Sequence, residues 1–452
     1  MSVQQDNNNI SLEWIKGQLN GFADLIDKKM DASFGQLSVV YIKSVTDPQV
    51  VSRNVIAPFY EMENANAYLN YILTYPGSEE ATTREKAIEL LLSGYMLLAL
   101  KDTFCFFDAA KKDISGVNET SAESISQGPS DALTEDIAVN MNMIRRRYQS
   151  TNLKMELMVI GEVSKTKVAI LYDDSRVDKK VLQELQEKMG ALKLDILQAT
   201  GELEKALSGD KLRILPKTVI TERPDRVVFN LSQGKIALIV DTVGYAMVLP
   251  AIFNDFFTSM DDKLQFPFVG YFLKTLRIIG VAMTLWLPAF YVTLTSYNPE
   301  IIRVQIALLI SGSRATVPYP SFVEVLLMLM MMEFLTEASL RLPKAIGPTA
   351  TTVGGLILGQ AATAAGLVGN AMIILVSAVA ISNFLIPLNM MSLSIRVLKY
   401  IFLFIAVFLG LVGVVVSIVG FAMYLCNQRS FGQPYFRLFF LDNLGRKKGG
   451  EH

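Results

Sequence analysis

The sequence predicts an α/β N-terminal region of two related subdomains followed by an all-α polytopic membrane domain. Three observations carry this. Residues 1–235 are charge-rich and of mixed sign, and most of the C-terminal remainder is apolar, in a 452-residue chain that is 51% apolar with a mean hydropathy of +0.35. No charged residue stands between Lys344 and Arg396. A single helix over that tract would run about 76 Å at ~1.5 Å per residue, well beyond a ~30 Å hydrocarbon core, so the tract has to break or turn within lipid. Finally, two stretches of the charge-rich half repeat one another.

Ser38–Val51 (SVVYIKSVTDPQVV) and Val168–Leu182 (VAILYDDSRVDKKVL) each read as strand, loop and helix start. Tyr41 aligns with Tyr172, Ser44 with Ser175, Asp47 with Asp178 and Val50 with Val181, at one constant spacing. Asp47 and Asp178 stand where N-caps are expected, because a carboxylate there accepts the free N–H groups of the first helical turn. Each repeat then passes through helical sequence into two short apolar runs about a polar turn, Ser93–Ala110 and Gln233–Pro250, with Gly94 matching Gly234. The second block has the apolar content of a transmembrane segment, but Asp241, Gly244 and its β-branched runs favour a strand hairpin.

The predicted organisation is a helical N-terminal extension at 1–34, a first α/β subdomain at 35–115, and a linker with a helix at 116–151. A second α/β subdomain at 152–257, a multi-span membrane domain at 258–430 and a tail at 431–452 complete the chain. The linker centres on Asp113–Pro129, rich in Ser, Glu, Asn and Gly. Its helix, about 132–149, ends in Arg145-Arg146-Arg147. That triplet reads either as a solvated end favoured by the helix dipole or as a contact to a neighbouring subunit or lipid headgroups.

Composition excludes several functions. A net charge of −1 gives no case for nucleic-acid binding. The single histidine is His452, and the two cysteines, Cys105 and Cys426, fall one in each half, so neither a metal site, a disulfide nor a histidine-dependent catalytic site is expected. GxxxxGK[ST] and GxGxxG phosphate loops are absent. No enzyme activity and no cofactor are expected. The polar start MSVQQDNNN has no signal-peptide pattern, which places the N-terminal half in the cytosol.

In the apolar half, Asn254–Lys263 reads as an interfacial amphipathic piece and Ile278–Thr295 as a first span kinked at Pro288. Arg303–Ser313 is too short to cross. A helix entered at Pro318 and Pro320 carries Glu324, Glu333 and Glu337. Glu333 and Glu337 share a face and Glu324 lies nearly opposite. Carboxylates in a membrane helix are costly, so each needs a partner or water. Arg341, four residues after Glu337, is a candidate partner. Glu333 and Glu337 read as salt-bridged near the membrane surface or as functional; Glu324 reads as inward-facing, structural or pore-related.

Within the uncharged tract, Thr349, Thr351, Thr352, Gln360 and Thr363 precede Asn370, and Gly355/Gly359 and Ala361/Ala365 form small-xxx-small spacings. Thr349, Thr352, Gln360, Thr363 and Asn370 are candidates either for pore lining or for helix packing. Met372–Leu388 and Ile401–Leu425 read as further spans. Arg341, Lys344, Arg446, Lys447 and Lys448 favour a cytosolic tail and an even number of crossings, most simply four; Arg396 and Lys399 disagree.

Several long stretches resemble the A subunits of GerA-type spore germinant receptors. They are LTEDIAVNMNMIRRR (Leu133–Arg147), IGEVSKTKVAILY (Ile160–Tyr172), TERPDRVV (Thr221–Val228), GKIALIVD (Gly234–Asp241), VPYPSFVEVLLM (Val317–Met328), LRLPKAIGPTATTVGGLILGQAATAAGLV (Leu340–Val368) and RSFGQPYF (Arg429–Phe436). The resemblance implies a multi-pass protein of the spore inner membrane that acts in a complex with a transporter-like B subunit and a lipoprotein C subunit. It implies an oligomer, a pentamer being expected, that forms an ion channel and releases ions when nutrients trigger germination. The chain departs from the family pattern at SGSRAT before Val317, where an acidic residue is common, and at Gly369-Asn370, where Ser-Pro is frequent. A family paralogue that amplifies ion release without its own nutrient sensor stays open, as do a secondary transporter and an assembly scaffold.

Overall fold

The computed structural model describes residues 11–436 apart from 20, 23, 80, 82, 101–102, 112–119, 121–122, 124–127, 210–212 and 344–345. Lys344, the basic tail from Arg446 to Lys448 and much of the Asp113–Pro129 linker therefore lie outside the described residues. The chain divides into two compact units, Met1–Asp210 with Thr218–Ala251, and Lys211–Lys217 with Ile252–His452.

The first unit holds two five-stranded antiparallel sheets. One is built from β1 (Leu25–Ala32), β2 (Gly35–Ile42), β3 (Ser78–Glu79), β4 (Tyr95–Leu100) and β5 (Thr103–Asp108), in the order β1-β2-β4-β5-β3. The other is built from β6 (Leu153–Ile160), β7 (Thr166–Asp173), β8 (Val219–Thr221), β9 (Ile236–Val240) and β10 (Ala246–Leu249), in the order β6-β7-β9-β10-β8. Strand for strand the orders are the same, so the sequence repeat is a structural one. Gln233–Pro250 contains the β9–β10 hairpin, not a membrane helix. The first sheet begins earlier than residue 35, because Leu25–Ala32 pairs with β2 through a two-residue turn at Ser33-Phe34. Its mixed LIDKKMDA sequence suits an edge strand and carries little β signal.

Helices of this unit are α1 (Leu12–Gln18), α2 (Pro48–Val51), α3 (Ala57–Glu61), α4 (Ala65–Thr74), α5 (Arg84–Leu92), α6 (Ile137–Arg147), α7 (Lys179–Gly190), α8 (Thr200–Ser208) and α9 (Pro224–Ser232). Asp47 caps α2 by accepting the Gln49 N–H at 2.8 Å, and Asp178 caps α7 by accepting the Lys180 N–H at 3.0 Å. Side chains alternate across the first sheet. Val40, Leu97 and Phe106 form one cross-strand row, packed with Leu91 and Ile15; Val39, Leu98 and Cys105 form the next, packed with Val55 and Phe59. Both faces are thus covered, and each fully buried aliphatic or aromatic side chain contributes about 1.5–3 kcal/mol.

Two glycines show how strictly the repeat is kept. Gly94 (φ +102°) and Gly234 (φ +80°) each lead from a helix into the third strand of the sheet. A Cβ on Gly94 would lie 2.7 Å from the Val45 carbonyl oxygen, and one on Gly234 would press still closer on the carbonyl of Arg176, the residue equivalent to Val45. Backbone meets backbone at the same place in both repeats, where only glycine fits.

The arginine triplet ending α6 divides: Arg146 is exposed, as a solvated end would be, whereas Arg145 and Arg147 pair with acids of this unit. Arg145 is fully buried, its Nη2 3.2 Å from Asp24 Oδ1 and its guanidinium 4.3 Å from the centre of the Phe22 ring. Burial lowers its pKa from the ordinary arginine value, and Asp24 opposes that. Arg147 pairs with Asp131.

The second unit is helical. After a 3₁₀ turn (Phe253–Phe257) come α10 (Asp261–Leu264), α11 (Pro267–Ser296), α12 (Val304–Ser313), α13 (Ser321–Ser339), α14 (Gly347–Ala364), α15 (Asn370–Phe384) and α16 (Asn389–Asn427), then a short hairpin, β11 (Arg429–Ser430) and β12 (Gln433–Pro434). Among the described residues α11 and α16 are long and apolar enough to cross a membrane. Pro288 sits inside α11 as expected, and the uncharged tract does break, between α14 and α15.

Candidate functional site

The helical unit is where the sequence places its costly groups, and its geometry follows from a few close approaches. Ser296 and Ser321 hydrogen-bond, joining the end of α11 to the start of α13. Gly354 faces Leu335, and Gly347 approaches the Ser339 carbonyl, so α13 and α14 run in opposite directions. Gly359 packs on Ile373 of α15, and Gly280 of α11 packs against Ser382 and Leu385 at the far end of α15. Gly347, Gly354 and Gly359 of α14 therefore serve packing, whereas Ala361 and Ala365 are exposed.

α16 is not one rod. Phe402 and Phe421 meet edge-on with centroids 5.8 Å apart, and Trp286 lies 5.9 Å from each. In a straight helix residues at that separation stand about 28 Å apart. The chain turns back at Gly410 (φ 62°, ψ −142°), where the Tyr297 ring packs on the glycine and its hydroxyl donates to the Val407 carbonyl. Ala406 and Val414, on either side of the turn, both pack on Ala289. The stretch Ile401–Leu425, expected to be the clearest single span, is instead the turn region of a helical pair. Its uniformly apolar sequence hides the turn; Gly410 and Gly413 are the only local signals.

Three carboxylates lie along α13. Glu324 is fully buried: Oε2 accepts from Arg314 Nε at 3.1 Å, and Oε1 accepts the Gly369 backbone N–H at 2.7 Å. One carboxylate thus ties the end of α12, the start of α13 and the α14–α15 turn together. Gly369 is required at that turn, since a Cβ there would lie 2.9 Å from the Ser313 carbonyl. Glu333 accepts from Lys399 Nζ at 2.9 Å and from Arg396 Nε at 2.8 Å, both on α16. Glu337 pairs with Arg341 at 3.0 Å, and both side chains are exposed. The Glu324 and Glu333 partners were not evident from sequence. Arg396 and Lys399 conflicted with the positive-inside count because they are inter-helix partners of Glu333, not loop charges.

The polar residues of α14 form a different kind of surface. Thr349, Thr352 and Gln360 are exposed and Thr363 is half-buried. At about 100° per residue these four positions fall within an arc of about 80°. Thr363 donates to the Gly359 and Gln360 carbonyls at 3.1 and 3.0 Å. Asn370, exposed at the start of α15, lies past the end of this face. No group of three or more His, Cys, Asp or Glu able to hold a metal exists among the described residues.

Fold and site together define a protein with a duplicated α/β unit and a membrane-associated helical unit held by inter-helix ion pairs. Residues 13–447 match the family described as Bacillus/Clostridium GerA spore germination protein, and the chain belongs to this family. It is similar to spore germination protein A1 of Bacillus subtilis (strain 168), 32% identical over 91% of this chain and 86% of that protein. Spore germination protein KA of the same strain is 31% identical over 88% of this chain and 75% of that protein. The uncharacterized membrane protein YfkQ, also from that strain, is 28% identical over 92% and 82%. Among solved structures, the N-terminal domain of the A subunit of the Bacillus megaterium spore germinant receptor GerK3 matches with 25% identity and a TM-score of 0.41, covering 54% of this chain and 94% of that one.

Proposed function

We propose that the chain is the A-type subunit of a nutrient-responsive spore germinant receptor, a homo-oligomer whose helical units together form an ion channel. The observation that carries this reading is the outward face of α14. Thr349, Thr352, Gln360 and Thr363 share one face with the exposed Leu356, opposite Gly354 and beside the packing Gly359, and four polar groups on one face of an otherwise apolar helix suit water. In a ring of subunits, a pentamer by family resemblance, that stripe is the channel wall.

The same reading gives α11, α13, α14, α15 and the two halves of α16 one crossing each. Six crossings take the place of the four expected, keep the number even and return the chain to its starting side. On this topology Lys274, Arg277, Arg341 and Arg429 fall at that side, which supports a cytosolic placement for it and for the α/β unit. The membrane is the spore inner membrane, and the partners are a transporter-like B subunit and a lipoprotein C subunit. No enzymatic role is assigned.

A second reading, a family paralogue that amplifies ion release without its own nutrient sensor, draws on the departures from the family pattern at SGSRAT and at Gly369-Asn370. Ion flux from liposomes holding the purified protein tests the channel. Replacing Thr352, Gln360 and Thr363 singly by Leu should cut flux severalfold without dissociating the oligomer. Unchanged flux in all three removes α14 from the channel wall. Flux without B and C subunits or nutrient favours the paralogue.

A further inference from the structure

The Glu333 cluster carries more positive charge than this chain can match. From Lys263 to Phe436 the only acids are Glu300, Glu324, Glu333 and Glu337. Glu324 is committed to Arg314 and Glu337 to Arg341, and Glu300 lies beyond the C-terminus of α11. α14 and α15 bring no charge, and α11 brings only Lys274 and Arg277. Glu333 therefore faces both Arg396 and Lys399 alone, leaving one cation in excess. Lys399 is 4% exposed. A surplus charge held among apolar helices is expensive unless something of opposite sign joins it.

There is room for that partner. A cavity of about 30 Å³ is lined by Glu333, Thr336, Asn383, Arg396 and Lys399 among apolar side chains. The Lys399 ammonium also lies 4.8 Å from the centre of the Tyr400 ring. A space of this size admits one water or one monatomic ion. Water would leave the charge unmatched. We propose that this cavity binds a single monatomic anion of the halide class, which completes the charge balance of the cluster and locks α13 to α16.

The test uses the full chain purified in detergent, with thermal unfolding followed in sodium chloride and in sodium gluconate at equal ionic strength. The expected result is a Tm that rises saturably with chloride, and equally with bromide, but not with gluconate. Lys399→Met leaves one cation facing one carboxylate and should abolish the dependence; Arg341→Gln, at the exposed pair, should keep it. Equal Tm in chloride and gluconate overturns the proposal, as does a dependence undiminished in Lys399→Met. Should Lys399→Met fail to fold, chloride NMR of the unsubstituted protein replaces it. Line broadening reversed by bromide supports the site, and no broadening overturns it.

Discussion

In the α/β unit the chain turns from helix into strand at Gly94 against the Val45 carbonyl, and does so again at Gly234 against Arg176. In the helical unit it turns at Gly410 against Tyr297, with no second copy of that arrangement among the described residues. The same contrast holds for polar groups. Asp47 and Asp178 cap equivalent helices with local bonds two residues away. Glu324 and Glu333 reach backbone or side chains on distant helices. Duplication multiplies local solutions, whereas a bundle in an apolar medium depends on a few long-range ones. Burial is distributed to match: Phe268 and Phe408 of the helical unit are about four-fifths exposed while Glu324 is sealed.

Removing one long-range tie should have the largest effect. Glu333→Gln strands two cations among apolar helices, and a loss of about 3–5 kcal/mol is expected in thermal or denaturant unfolding in detergent. Replacing Glu333, Arg396 and Lys399 together by Leu should cost much less, because no charge is then left unmatched. A triple variant as damaged as the single one would mean that packing, not charge, ties α13 to α16. The duplicated sites come next. Gly94→Ala and Gly234→Ala should each cost about 1–3 kcal/mol through strain at positive φ. A several-fold difference between them would break the equivalence of the repeats.

Smaller still, Asp47→Ala and Asp178→Ala should each lose about 1 kcal/mol in stability of the α/β unit, measured by denaturant titration. The smallest effect belongs to a group found in one repeat only. Asp173 stands where the first repeat has Ile42. Burial acts to raise its pKa, but donors from Ser175 and Tyr148 and the charge of Arg176 outweigh this and hold it below the ordinary 3.8. Burial first, then Asp173, pushes the Tyr148 hydroxyl up to about 12. A depressed folded pKa adds stability that is present above the unfolded value and lost as pH falls through the folded one. Asp173→Asn should therefore flatten the stability profile below about pH 3.8, read from acid unfolding curves.

What the sequence revealed was local. The repeat, both N-caps and the β9–β10 hairpin rest on residues within a few positions of each other, where periodicity and capping chemistry act. The Glu337–Arg341 pair, one helical turn apart, was equally visible. Glu333 and its partners are separated by the whole of α14 and α15, and nothing in the intervening uncharged tract marks which helices become neighbours. β1 was missed because an edge strand needs no apolar alternation. The turn at Gly410 was missed because hydropathy is the same on both sides of it.

That turn also bears on how the protein is made. Phe408-Leu409-Gly410-Leu411-Val412 has no polar side chain, so no hydrophilic loop joins the two halves of α16. On the topology proposed above, the pair enters the bilayer as one preformed wedge from the side on which both its ends remain. Delivery then requires no charged or hydrated segment to be carried across the hydrocarbon, where each such group would cost several kcal/mol.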